Sequence, residues 1–304
     1  MSHYLVTGGA GFIGSNLVKK LLAEGHKVRV LDNYSAGRFE DRMQHEAEYQ
    51  TGDIRSLEDV KQAARGIDGI FHLAALPRVI FSVENPEATH DVNVNGTLNV
   101  LLVAKELGIK RVVFATSSAA YGDQGNSVLE EDSMLKKPLS PYALHKFIGE
   151  NYCRIFSELY GLETVSLCYF NVYGPYFDPN GAYALVIGRF LKLRKEGKPL
   201  TIRGDGEMYR DFTYVDDIVK GTMLAMTSPN VGHGEVINLG YGSPRSVNQL
   251  AKLIGGEVVY VPALAGEMKY TCANNQKAKK LLGWEPTVVF EEGVSRLKKM
   301  WGID

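Results

Sequence analysis

Apolar residues recur along the first half of the chain in two alternating patterns. Short runs at 3–7, 27–31, 69–73 and 111–115, such as Tyr4-Leu5-Val6, predict buried strands. Between them, 12–24 and 92–107 place apolar residues three and four positions apart, the spacing of one helix face. Strand-helix-strand alternation predicts an α/β fold with a parallel, doubly wound sheet. The second half is less regular. Residues 171–181 are rich in Asn, Gly, Pro and Asp, which predicts a loop and a lobe boundary. A late apolar run at 236–239 is expected to return to the sheet. The expected organisation is a large lobe, 1–170, that receives segments near 211–240, interleaved with a smaller α/β lobe formed mainly by 171–304.

Composition narrows this little. The chain has 304 residues, 45% of them hydrophobic and 23% charged, as expected of a globular protein. A net charge of -1 argues for neither a nucleic-acid partner nor a membrane surface. The three cysteines, Cys153, Cys168 and Cys272, have no metal-ligand spacing and give no disulfide framework. No metal is expected, and a reducing cytoplasm is the simplest setting. With a strand predicted almost from Met1 and no apolar run long enough to cross a bilayer, no targeting or membrane segment is expected.

The loop after the first strand carries chemistry. Thr7-Gly8-Gly9-Ala10-Gly11-Phe12-Ile13-Gly14 leads directly into the first helix, with glycines at 8, 11 and 14. Gly8 allows a tight turn, Gly11 lets backbone approach a pyrophosphate, and Gly14 lets helix and strand pack closely. The amides of Phe12 and Ile13 then face the phosphates at a helix N-terminus. This is the Rossmann dinucleotide pattern in its expected strand-turn-helix context. Asp32 ends the second strand, 18 positions after Gly14, where a carboxylate accepts from ribose hydroxyls and repels a 2′-phosphate. NAD is therefore favoured, with Asn33 beside it, although Arg38 nearby leaves NADP open. Asp53 and Ile54 follow the third strand, where the carboxylate is in place for the adenine amine. Leu73, Ala74 and Ala75 end the fourth strand and leave room for the cofactor. His72 reads as a packed strand histidine. Asn93, on the 92–107 helix, reads as a buried amide that orders the neighbouring loop or a water.

Tyr142-Ala143-Leu144-His145-Lys146 puts a phenol and an ammonium one helical turn apart, on one face. A cation that close is expected to lower the tyrosine pKa from about 10 toward working pH. Such a tyrosine is a general base for a sugar hydroxyl. The stretch follows a serine-rich strand end, Phe114-Ala115-Thr116-Ser117-Ser118-Ala119-Ala120-Tyr121-Gly122.

Taken in this order, the motifs resemble the extended short-chain dehydrogenase/reductase family, and within it the nucleotide-sugar epimerases. The resemblance covers nearly the whole chain. It implies catalytic roles for Ser117, Tyr142 and Lys146, with Lys146 also holding the nicotinamide ribose. Tyr169-Phe170-Asn171-Val172-Tyr173-Gly174-Pro175 resembles the family segment that joins the sixth strand to the substrate lobe, with Tyr169 near the cofactor. Asn171 either bonds a phosphate or sugar oxygen or caps its own loop. Ala182 and Tyr183 lie in a segment similar to one in UDP-hexose and UDP-N-acetylhexosamine 4-epimerases. Ile202-Arg203-Gly204-Asp205-Gly206 and Arg210-Asp211-Phe212 resemble the nucleotide-grasping strand and the phosphate arginine. A guanidinium fork at Arg210 matches a diphosphate, against the plainer reading of an exposed ion pair with Asp211. Glu267 and Thr271 match a tail segment that contains a size-gating position. A residue as small as Thr271 leaves space for an N-acetyl group. Leu264 stands where the family often has an arginine, a role open to Arg78, Arg203 or Arg245.

The resemblance implies an isomerase that moves hydride with retained NAD, and the strand end separates the possible products. Sugar dehydratases carry an Asp-Glu pair and decarboxylases a Glu where this chain has Ser118 and Ala119, neither of which protonates a leaving hydroxyl. The epimerase-reductases that make GDP-fucose need an added Cys and His pair, and no cysteine lies near this strand. A 4-epimerase of UDP-hexoses or UDP-N-acetylhexosamines is therefore expected, through a 4-keto sugar that turns and is reduced on its other face. A UDP-glucuronate 4-epimerase is the alternative, ahead of a dehydratase or decarboxylase. In another class, a non-catalytic NAD-binding regulator has no need of the intact triad. The family also implies a homodimer built on 92–107 and 142–160.

Overall fold

A computed structural model describes residues 1–177, 186–263 and 269–303. Seven parallel strands form its central sheet. They are β1 (His3–Thr7), β2 (Lys27–Asp32), β3 (Glu48–Thr51), β4 (Gly69–His72), β5 (Arg111–Ser117), β6 (Glu163–Tyr169) and a late strand, His233–Leu239. The order across the sheet is β3-β2-β1-β4-β5-β6 and then His233–Leu239. Strand order reverses between β1 and β4, which opens a crevice beyond the carboxyl ends of the strands.

Two buried layers sandwich this sheet. On one face, Leu17 and Leu21 of the helix Phe12–Ala23 and Ile218 and Val219 of Val215–Thr227 pack with Val30, Val113 and Trp284. On the other, Val60, Val100, Leu101, Val103, Cys153 and Phe156 come from helices Leu57–Ala64, Gly96–Glu106 and Pro141–Tyr160. β5 has six of seven residues buried, and its centre, Val112-Val113-Phe114-Ala115, is a continuous apolar run because both its faces are covered.

The smaller lobe has its own core of Phe190, Leu191, Ile202, Phe212, Leu250, Ile254, Phe290 and Leu297. Three two-stranded ribbons join it, among them Leu200–Arg203 with Val258–Val261 and Tyr209–Arg210 with Arg245–Ser246. From this lobe the chain returns to the sheet, where His233–Leu239 pairs in parallel with β6.

The expected strand and helix positions are present, with strand ends that differ by up to three residues, while Val172–Tyr173, expected to lie in a loop, forms a short strand paired in parallel with Thr213–Tyr214. One predicted helix is not uniform. Asp91–Asn95 is a π segment that widens before the α-helix Gly96–Glu106. Such bulges redirect side chains out of the regular spacing. Here the bulge turns Asn93 toward the loop after β4. Its Oδ1 accepts from the Leu76 amide at 2.8 Å and its Nδ2 donates to the Leu76 carbonyl at 3.1 Å.

Two buried polar groups fasten the layers. The Arg111 guanidinium, at the start of β5, donates to the carbonyls of Ala225, Met226, Ser228 and Val231 and pairs with Glu163 at 2.6 Å. It thereby satisfies carbonyls left open where the helix Val215–Thr227 ends. His72 bridges β1 and the helix Gly96–Glu106, with Nδ1 at 2.7 Å from Thr7 Oγ1 and Nε2 at 3.0 Å from Thr97 Oγ1. Burial pushes its pKa down to about 3, with the Lys146 ammonium acting in the same direction.

Replacing Arg111 by Met should cost about 3 kcal/mol in denaturant unfolding, since it leaves four carbonyls and Glu163 without their donor. For His72, the folded state binds its proton less tightly than the unfolded state. Its contribution is therefore complete above pH 6.5 and is lost as pH falls toward about 3. His72→Phe should cost about 1–3 kcal/mol at neutral pH by removing one hydrogen bond from each of two buried threonine hydroxyls. That gap should narrow on acidification in paired unfolding curves. A gap that stays constant or widens would contradict the assignment.

Candidate active site

The Gly8–Gly14 loop sits at the crevice where strand order reverses. Gly8 has φ +72°, and a Cβ on it would lie 2.7 Å from the Ala74 nitrogen. A Cβ on Gly14 would meet the Gly8 carbonyl oxygen at 2.2 Å. Only glycine permits these approaches, which press the helix Phe12–Ala23 against β1 and β4. Gly11 is the N-cap and has no side-chain cap, so the first-turn amides face the crevice without a side-chain acceptor from the cap.

Asp32 ends β2 beside this cradle. Its Oδ2 accepts from the Ala10 amide at 3.0 Å and its Oδ1 from the Tyr34 amide at 2.8 Å. Burial raises its pKa, and these two amides oppose that. The carboxylate thus fixes the loop. Asn33 Nδ2 donates to Asp53 Oδ2 at 2.8 Å. Asp53 also holds Arg55 through its backbone, Nε and Nη2, and hydrogen bonding from Arg55 drives the Asp53 pKa to about 2. Its two oxygens therefore already meet four donors, more than a free adenine acceptor would. Ile54 is buried in the core and packs against Gly96. The backbone of Leu73 and Ala74 is held by Thr7, through its carbonyl and its hydroxyl. Uncapped amides, glycine-only approaches and a carboxylate at the strand end fit a dinucleotide.

Tyr142 lies near Ser117, and Lys146, one turn further along the helix, reaches β5 two residues before Ser117. Ser117 ends β5, and its hydroxyl accepts from the Ala119 amide at 3.2 Å and acts on the nearby Tyr142 phenol to lower its pKa. Tyr142 and Lys146 lie in the first turns of Pro141–Tyr160, a helix capped by Ser140 with Pro141 at its first position. Both are buried, at 8% and 4% exposure. The expected electrostatics need correction. Lys146 Nζ donates to the Ala115 carbonyl at 2.7 Å and lies over the Phe114 ring. It does not depress the tyrosine. Burial pushes Tyr142 up to about 12, against the hydrogen bond from Ser117. Burial pulls Lys146 down to about 8, opposed by Cys153 and Glu150. One turn further, Glu150 accepts from Thr116 at 2.7 Å and from the buried Lys136 at 2.5 Å, so β5 and the segment before the helix are bound to the helix Pro141–Tyr160.

The remaining expected residues are dispersed. Ser118 is buried just past the end of β5. The Tyr169 hydroxyl lies 2.7 Å from Thr222 Oγ1, toward the helix on the opposite side of the sheet. Asn171 has φ +29° and donates through Nδ2 to the Asp211 carbonyl and to Thr271 Oγ1, each at 3.3 Å. Thr271 is 2% exposed and also accepts from the Asp211 amide. Arg203 ends the strand Leu200–Arg203, and Arg210 pairs in register with Arg245 while donating to the Tyr209 carbonyl. Ala182, Tyr183, Leu264 and Glu267 lie outside the described residues.

The exposed Arg210–Asp211 pair is not what forms. Asp211 is fully buried, and its carboxylate accepts from the amides of Tyr241, Gly242 and Ala273. Burial raises its pKa to about 6 against those amides. Sequence reading missed this anchor, although an acid wedged between Arg210 and Phe212 is a visible hint. It also missed Glu150 with Lys136, and Ser82, whose hydroxyl accepts from the Tyr142 amide at 3.1 Å.

The profile of the NAD dependent epimerase/dehydratase family matches residues 4–240. A UDP-glucuronate 4-epimerase of Thermodesulfobacterium geofontis is 39% identical, with 97% of this chain and 95% of that protein covered. A UDP-glucose 4-epimerase of Mycolicibacterium smegmatis is 36% identical, with 96% of each chain covered. The crystal structure of a UDP-glucose 4-epimerase of Thermotoga maritima with UDP-glucose superposes with a TM-score of 0.92 at 37% identity, over 98% of this chain and 99% of that one. With the glycine cradle and the Ser117, Tyr142 and Lys146 cluster in place, the chain belongs to the NAD dependent epimerase/dehydratase family.

Proposed function

We propose that this chain is a 4-epimerase of UDP-sugars, with UDP-hexoses or their 2-N-acetyl counterparts as substrates. The reading rests on one observation above others. Tyr142, the base candidate, is buried near Ser117 at the carboxyl edge of β5, next to a dinucleotide cradle. Tyr142 takes the C4 hydroxyl proton directly or through Ser117. NAD, when bound, accepts hydride from C4 and returns it. Lys146, already a donor toward the strand end, has further protons for a ribose hydroxyl. Ser118 and Ala119 offer no acid to a leaving hydroxyl, which argues for epimerisation over elimination.

The diphosphate falls to Arg210 and to Arg203 in the smaller lobe, with Asn171 at the junction of the lobes. Thr271, tied to Asn171, is the candidate gate beside C2 of the sugar. A second reading, a UDP-glucuronate 4-epimerase, is supported by the 39% identity to a relative of that name.

The test is product analysis with no added cofactor, on UDP-galactose, UDP-GalNAc and UDP-glucuronate separately. Interconversion at C4 is expected, and a uronate-only result would favour the second reading. No product from any of the three, with NAD bound, would sink the proposal. Tyr142→Phe should lower kcat about 10²–10⁴-fold while bound NAD is retained. Because Tyr142 lies high and Lys146 at about 8, kcat should rise from mildly acid pH and level or fall as Lys146 loses its charge. Thr271→Tyr should reduce turnover of the N-acetyl substrate far more than that of the plain hexose. An equal loss on both would remove Thr271 as the gate.

A further inference from the structure

The first turn of the helix Pro141–Tyr160 has an unusual distribution of partners. Pro141 has no amide hydrogen. The Ala143 amide goes to the Ser140 hydroxyl at 3.2 Å, and the Leu144 amide to the Ser140 carbonyl at 3.0 Å. These are local caps. The Tyr142 amide instead finds its acceptor 60 residues away, in Ser82 Oγ at 3.1 Å.

Ser82 is fully buried in the short helix Val79–Glu84, while Val79, Ile80 and Val83 on the same helix are more than two-fifths exposed. Its hydroxyl donates to the Val79 carbonyl at 2.6 Å, which commits the proton and leaves a lone pair for Tyr142. The segment that leads into this helix is itself fixed. Leu76 is held on both its backbone groups by Asn93. A continuous line of bonds therefore runs from Asn93 through Leu76 and the helix Val79–Glu84 to the backbone of the tyrosine.

We infer that Ser82 is a positioning residue, which sets where Tyr142 stands relative to Ser117 by holding its amide from the loop beyond β4. The inference rests on Tyr142 being the base, as proposed above. Helix packing alone does not require the bond, since a buried alanine would fill nearly the same space. The geometry of proton transfer does require it, because small displacements of a reacting group cost large factors in rate.

Ser82→Ala should lower kcat tenfold or more, leave KM within twofold, and move the acid limb of the kcat profile to higher pH as the Ser117 contact to the phenol loosens. Ser140→Ala is the control, since it uncaps the same helix and leaves the Tyr142 amide bonded; kcat should stay within twofold. A fall of less than threefold for Ser82→Ala, or an equal fall for Ser140→Ala, would overturn the inference. Should Ser82→Ala fail to fold, Ser82→Cys places a weaker acceptor at the same point and is judged by the same thresholds. Amide hydrogen exchange at Tyr142 supplies a readout that needs no substrate. It should quicken at least tenfold in Ser82→Ala, and unchanged exchange would overturn the inference even if turnover fell. Wild-type protein that turns over no UDP-sugar would count against the proposed function, whereas active wild type with unaffected Ser82→Ala counts only against Ser82.

Discussion

The approach of the first helix to the first strand is the constraint on which the site depends. A single Cβ at Gly14 would stand 2.2 Å from the Gly8 carbonyl oxygen, and one at Gly8 would press on Ala74. With both absent, the helix start drops into the crevice between β1 and β4. The uncapped amides of that helix then define where a pyrophosphate can rest, and Asp32 fixes the distance to the second strand through Ala10. The opposite wall, β5 and the helix Pro141–Tyr160, has to face that point. Its chemistry is meaningful only because the cradle cannot shift.

Buried polar groups hold the opposite wall. Glu150, with Lys136 and Thr116, ties the helix Pro141–Tyr160 to β5, and Lys146 is drawn to the Ala115 carbonyl one residue away. Asp211 does the same for the smaller lobe, with amides from two backbone segments, Tyr241-Gly242 and Ala273, around one carboxylate. Buried charges of this kind contribute little net stability but penalise any other arrangement, because a partner left alone in the interior is costly. In a site that must hold a phenol and a hydroxyl in contact, that penalty maintains the geometry.

Much of this was legible in the residues. The glycine spacing, Asp32, the serine-rich strand end and Tyr142 with Lys146 each follow from local rules, because loops, strand ends and helix faces have short-range signatures. The direction of the Tyr142 shift was not legible. Spacing shows that Lys146 shares a face with the phenol, but burial outweighed proximity and the ammonium found a carbonyl instead. Asp211 and Ser82 were hidden for another reason. Their partners lie tens of residues away, at Ala273 and Tyr142, and no periodicity links such positions. Asn93 orders the neighbouring loop as its place on the helix led one to expect, although a π segment rather than a regular turn carries it.

The return of the chain from the smaller lobe to the sheet has a consequence for the molecule as a heritable unit. His233–Leu239 is the outer neighbour of β6, whose Val165, Leu167 and Cys168 are wholly buried. A fragment ending near residue 170 would carry every cofactor motif and still leave β6 as a long apolar edge, ready to pair with another chain. The smaller lobe is thus stitched into the larger one repeatedly, since residues 215–239 and 278–284 pack with the large sheet between segments of the smaller core. It can change by substitution within its own core, but it cannot be shed or traded as a separate module without opening an aggregation-prone seam in the half that remains.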